Sequence, residues 1–248
     1  MKVVVINISG NTGKTALTKH MFVPLLNPKK RISIEDTNSE DGRIDVKIGA
    51  KKFKDLAAEL NVANPDDHYV IDVGSSNAKE MFEKFDQFSS TTDMVDVWIV
   101  PSNPPGKQVV DSLTTAENLK NMGISTKKIA IIPNIITDPD MFESDFAPLF
   151  LARDLGITVP NSGVRSTEAF SLLQGDERSV FDIVNNKPDF EAKKAAARKS
   201  ENMDSELYAI GQEMVLYDLC RGAAKNIQSV FNELPQFKHL VKKGQKNG

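Results

Sequence analysis

Val3-Val4-Val5-Ile6 runs almost directly into Ser9-Gly10-Asn11-Thr12-Gly13-Lys14-Thr15. A short, continuous aliphatic run is a strand covered on both faces. The loop after it carries two glycines and opens onto a helix, so the chain is committed to an α/β beginning. The loop's backbone N–H groups and the helix N-terminus together face an anion. Gly10 and Gly13 let the backbone approach that anion without a Cβ in the way. Lys14 would reach the outer phosphates of a polyphosphate, and the Thr15 hydroxyl would hold Mg²⁺. The binding stretch is therefore Ser9, Gly10, Asn11, Thr12, Gly13, Lys14, Thr15 and Ala16. The helix is predicted from Lys14 to Val23, stopping before Pro24. The plainer alternative is a glycine turn joining any strand to any helix.

Further apolar runs repeat this beginning. Ile32–Ile34 ends in Glu35-Asp36, Tyr69–Ile71 in Asp72-Val73-Gly74, Val95–Val100 in Pro101, and Ile129–Ile132 in Pro133-Asn134. Between the last two, Val109, Val110, Leu113, Ala116 and Leu119 stand near helical spacing, predicting a helix over 106–122. Such alternation gives an α/β fold, a mostly parallel sheet flanked by helices, with ligands at the carboxyl ends of the strands. A nucleotide-binding domain over 1–185 would carry a helical C-terminal extension, 186–248, packed on it. From Met203 to Leu234 the apolar steps suit one long amphipathic helix or a helix pair broken at Gly222. The last thirteen residues hold four lysines and no acid, and are predicted to fray.

Composition narrows the partners. No apolar run approaches the ~20 residues that span a bilayer, and the first residues lack a signal-peptide cleavage pattern, so the expectation is a cytoplasmic protein without stable membrane insertion. Net charge of −3 argues against a uniformly basic nucleic-acid binder. Residues 187–199 do carry five Lys/Arg against two acids. That segment is either a contact for DNA phosphates, without sequence preference, or a solvated helix face. Cys220 is the single cysteine, which excludes an internal disulfide, and it reads as a helix-face filler. His20, His68 and His239 lack metal-ligand spacing. Asp72 closes an apolar strand, where a carboxylate would face the Mg²⁺ shell through water. Gly74 and Ser75 after it would form a loop responsive to a γ-phosphate.

Together, Ser9–Thr15, Glu35–Asp36, Asp72–Ser75, Val95–Pro101 and Asn134 resemble the ParA/MinD-type P-loop ATPases with a deviant Walker A loop, over roughly residues 1–185. Ser9 stands where that family has an extra lysine, which reaches the partner subunit's nucleotide, and Asn11 replaces a glycine. More narrowly, residues 5–15 and 35–41 are similar to the StbB (TraL-like) plasmid-stability proteins. The resemblance implies ATP and ADP with Mg²⁺, slow ATP hydrolysis, and a face-to-face homodimer in the ATP state. It also implies a small DNA-binding adaptor protein as partner, with plasmid positioning as the outcome. It makes Lys14, Asp36 and Asp72 catalytic and Thr15, Asp36 and Asp72 the metal residues. Asp36 would orient the attacking water, although the proline that follows in the family is missing. Asn134 would bond the adenine edge, since an amide both donates and accepts; the alternative is a loop-capping Asn. Pro160 would belong to the base-side loop. The guanine-reading Asn-Lys-x-Asp is absent, because Ile135-Ile136-Thr137 follow Asn134. Two other readings share these residues: a nucleotide-binding scaffold with little hydrolysis, and an ATP-dependent ligase of the dethiobiotin synthetase kind.

Overall fold

The computed structural model describes residues 1–35, 46–48, 52–104 and 106–240. Its core is a six-stranded, wholly parallel sheet of β1 (Lys2–Val5), β2 (Lys30–Ile34), β3 (Val46–Ile48), β4 (Tyr69–Val73), β5 (Val97–Ser102) and β6 (Ile129–Pro133), in the order β3-β2-β4-β1-β5-β6. Parallel neighbours require crossovers, and among the described residues these are helical. They include α1 (Lys14–Leu17) and α2 (Val23–Leu26), then α3 (Phe53–Val62), α4 (Ala78–Gln87), α5 (Ser89–Asp93) and α6 (Lys107–Asn121). After β6 come α7 (Phe142–Phe150), α8 (Glu168–Leu172), α9 (Val180–Asn185), α10 (Phe190–Ala197) and α11 (Met203–Asn232).

Strand side chains alternate between two cores. Val4, Ile6, Ile71, Trp98 and Ile131 pack with residues of α3, α4, α6 and α7. Val3, Val5, Val70, Ile99 and Ile132 pack with α1, α8, α9 and the second half of α11. Burying an aliphatic side chain of this size stabilises by about 1.5–3 kcal/mol, which explains why the strands read as unbroken apolar runs. Phe190, Ala197 and Ile210 form a separate small cluster joining α10 to the first half of α11.

Two expectations need correction, and one open alternative is decided. The helix after the loop does not stop before Pro24: α1 passes through a π turn, Thr18–Phe22, into α2, and ends at Leu26. Pro24 lacks an N–H for the His20 carbonyl. The π register absorbs this, because the Val23 N–H bonds back to the Thr18 carbonyl. Asn27, left-handed at φ 45°, closes the helix. Of the two readings of the C-terminal stretch the single long helix holds: α11 runs unbroken through Gly222 for 30 residues, about 45 Å. The segment after α11 does not fray from its start. Phe237 is fully buried, its ring 4.8 Å from that of Phe231 and 5.8 Å from that of Phe22. In the basic segment, Lys193 pairs with Glu213, Lys194 with Glu191, and Lys187 lies over the Tyr217 ring. Among the described residues no helix is long and apolar enough to cross a membrane.

Candidate functional site

β1 lies between β4 and β5, where the order of connections reverses, and the loop after β1 opens at that point. Asn7 anchors it. This fully buried side chain donates from Nδ2 to the Pro101 carbonyl (2.7 Å) and to Ser112 Oγ (2.9 Å). Its Oδ1 accepts from the Ser9 N–H (2.8 Å) and from Thr115 Oγ1 (3.3 Å). The loop's first residue is thus tied to the end of β5 and to α6. The only local sign of this is an Asn where an apolar strand residue would serve.

Beyond Ser9 the backbone turns through Asn11 (φ 55°) and Gly13 (φ 78°), both left-handed. Gly13 is required twice over. Its φ disfavours any side chain, and a Cβ there would stand 2.3 Å from Asn134 Nδ2. A methyl on Gly10 would meet only Ser75 Oγ, at an ordinary 3.5 Å, so the protein itself leaves room there. Lys14 is buried, its Nζ bent back to donate to the Ser9 carbonyl (2.7 Å). Burial pulls its pKa down to about 8, against the opposing pull of Asp72 and Glu35. Thr12 is fully buried and its hydroxyl has no partner among the described residues.

Asp72 faces this loop from β4. Burial pushes its carboxyl up to about 6, while the Arg31 charge, a hydrogen bond from the Thr15 hydroxyl and Lys14 pull the other way. The strand register sets Ser33 opposite Asp72, so Arg31 and Glu35 flank it from β2 and its end. Sequence reasoning passed over Arg31 entirely. Glu35 adjoins the turn after β4: a Cβ on Gly74 would stand 2.9 Å from Glu35 Cγ. Asp36 lies outside the described residues.

The Thr15 hydroxyl and the Asp72 carboxylate are hard oxygen donors, and their mutual bond is one a hydrated divalent cation would enter. Among the described residues no group of three His, Cys, Asp or Glu could hold a metal. That donor set fits Mg²⁺, which is held mostly by water and phosphate rather than by an all-protein cage.

Asn134, after β6, is buried and donates from Nδ2 to the Thr12 carbonyl (2.9 Å). That bond uses one of the two amide N–H donors, leaving the second N–H and the Oδ1 acceptor. Beside it opens a cavity of about 200 Å³, lined by Gly13, Ala16, Asn134 and Ile135 on one side and by Val164–Thr167, Phe170 and Ser171 on the other. The sequence hides the second wall, which follows no apolar period. Pro160 stands apart from that lining; its carbonyl accepts from Arg153 Nη2 (2.8 Å). A larger cavity, of about 470 Å³, adjoins Lys19, Pro24 and Arg31, and one of about 440 Å³ lies among α9, α10 and α11. Neither includes a residue of the glycine loop.

No protein-family model matches the sequence, and no curated protein does. Solved structures do. The MinD cell division protein of Aquifex aeolicus superposes with a TM-score of 0.50 at 12% identity, over 86% of this chain and 96% of that one. The fold is that of MinD. The MinC:MinD complex of the same organism gives 0.50 at 13%, over 86% and 95%. Apo McdA of Cyanothece gives 0.47 at 12%, over 86% and 98%. At these identities the likeness extends to the fold.

Proposed function

We propose that the chain binds ATP with Mg²⁺ and acts as a slow ATPase switch, dimerising in the ATP state. The observation that carries this is the buried Lys14 ammonium folded onto the Ser9 carbonyl, beside the Thr15–Asp72 pair. Phosphate oxygens would take the place of that carbonyl and restore to Lys14 a full opposite charge. Mg²⁺, held by Thr15 and through water by Asp72, would neutralise charge on the outer phosphates. Positioning and charge neutralisation dominate phosphoryl transfer, so little proton abstraction is asked of the protein. Asp36 is the candidate to orient water. The Asn134 amide would accept from the adenine amino group through Oδ1 and could donate to a ring nitrogen through its second N–H. Loss of the γ-phosphate would release the turn at Gly74–Asn77 and loosen the dimer. The cellular role that the StbB-like stretches support is plasmid stability or positioning through a small DNA-binding adaptor. The complex of the MinD neighbour with MinC supports a protein partner of some kind.

A nucleotide-binding scaffold with little turnover is the second reading. It is favoured by Ser9, a buried neutral residue where the resembled loop carries a cation. Light-scattering mass in the apo, ADP and ATP–Mg²⁺ states, with phosphate release in the same samples, separates the two. An ATP-dependent dimer with slow release supports the switch. A dimer that persists without release supports the scaffold, and a monomer throughout refutes ATP-driven dimerisation. Lys14→Ala should abolish ATP binding; retained affinity would refute the phosphate-loop assignment.

A further inference from the structure

The π turn behind the phosphate loop sends two consecutive side chains to one place. Lys19 is buried, and its Nζ donates to the carbonyls of Leu173 (2.7 Å) and Asp176 (2.6 Å), at and just past the C-terminal end of α8. His20 is buried too. Its ring stacks on Phe170 of α8 at 5.0 Å and 25°, and its Nδ1 accepts from the Val180 N–H at the start of α9 (3.3 Å). An ammonium on two carbonyls at a helix C-terminus is favourable both as hydrogen bonds to a charged group and through the helix dipole. α8 has only five residues, too few to hold a conformation alone. Yet Thr167, Phe170 and Ser171, at its start and along it, form the far wall of the cavity beside Asn134.

We infer that Lys19 and His20 are positioning residues for the nucleobase end of the site. The π turn aims both at α8, so the helix that presents Lys14 and Thr15 to the phosphates also fixes the wall against which the base packs. Both residues lie inside the wide turn, whose closing bond runs from the Val23 N–H to the Thr18 carbonyl. Phosphate end and base end are thereby held at a set separation by one continuous piece of backbone.

This inference rests on the nucleotide reading, and the test separates the two. Binding of ATP–Mg²⁺ and of tripolyphosphate–Mg²⁺ is measured by calorimetry on the full chain, as wild type, Lys19→Met, Lys19→Arg and His20→Leu. Tripolyphosphate reports the loop alone, and the ratio of the two affinities reports the base. Lys19→Met and His20→Leu should each weaken ATP by roughly tenfold while tripolyphosphate stays within about twofold of wild type, the change expected for one charged hydrogen bond or one packed ring. Lys19→Arg should recover most of the ATP affinity. Unchanged ATP affinity, or ATP and tripolyphosphate weakened by the same factor, overturns the positioning role. Wild type that binds neither overturns the nucleotide reading itself. His20→Leu keeps the question open to test if Lys19→Met does not fold.

Discussion

Asp72→Asn should make the nucleotide-free protein more stable at neutral pH while removing its use for Mg²⁺. The side chain is 2% exposed and its carboxyl is pushed up from 3.8 to about 6, burial being the largest cause. A group whose folded pKa is raised binds protons more tightly in the folded state than in the unfolded one. The stability that this contributes is fully present below the unfolded value and is lost as pH rises through about 6. A shift of about two units corresponds to about 3 kcal/mol. Asparagine keeps an acceptor for the Thr15 hydroxyl and resembles the protonated acid. Asp72→Asn should therefore exceed wild type by up to about 3 kcal/mol at pH 7.5, and the gap should close below pH ~4. Urea unfolding of both proteins across pH 3.5–7.5, without nucleotide, measures this directly. The same variant should lose the Mg²⁺-dependent part of ATP affinity. A variant no more stable than wild type at neutral pH, or a gap independent of pH, would refute the claim that an ionised Asp72 is held at a cost for its ligand.

Asn7→Leu removes four hydrogen bonds at one buried point and should cost about 3 kcal/mol in urea unfolding, since the partners left behind lose theirs. A midpoint equal to wild type would show that the tie between loop and α6 is dispensable. Cys220 is fully buried with its thiol pushed up to about 11, chiefly by burial. Its labelling by a thiol reagent at pH 8 should follow global unfolding, and prompt labelling of the native protein would contradict the packing of α11.

Much of this was legible in the residues because local chemistry and global fold agree. The aliphatic runs read as covered strands, Gly13-Lys14-Thr15 follows the first of them, and Asp72 closes the strand next to it. Expectations failed where a side chain or backbone group is satisfied by something distant. Pro24 reads as a helix stop until the π register is seen to take up its missing N–H. Gly222 leaves a helix pair open as an alternative, and packing on both sides of it decides for the single helix. Asn134 reads either as a base contact or as a loop cap, and its bond to the Thr12 carbonyl comes from a residue far away in sequence. Arg31, Asn7 and the Val164–Ser171 wall carry no local pattern at all. Their positions follow from the strand register and from crossovers that bring residues far apart in sequence together.

The closing helix has a consequence for synthesis. β1 is the first strand made, but its neighbours β4 and β5 come later, and the core on the side of Val3 and Val5 is completed by Ala224, Ile227, Val230 and Phe231 of α11. A nascent chain carrying the glycine loop has Leu17, Met21 and Phe22 to cover part of that face at once, but the rest stays open until the ribosome has released the second half of α11. Truncations that end before the second half of α11 should leave that face open to other chains. They should be recovered as aggregates or chaperone complexes, even though every residue of the loop is present.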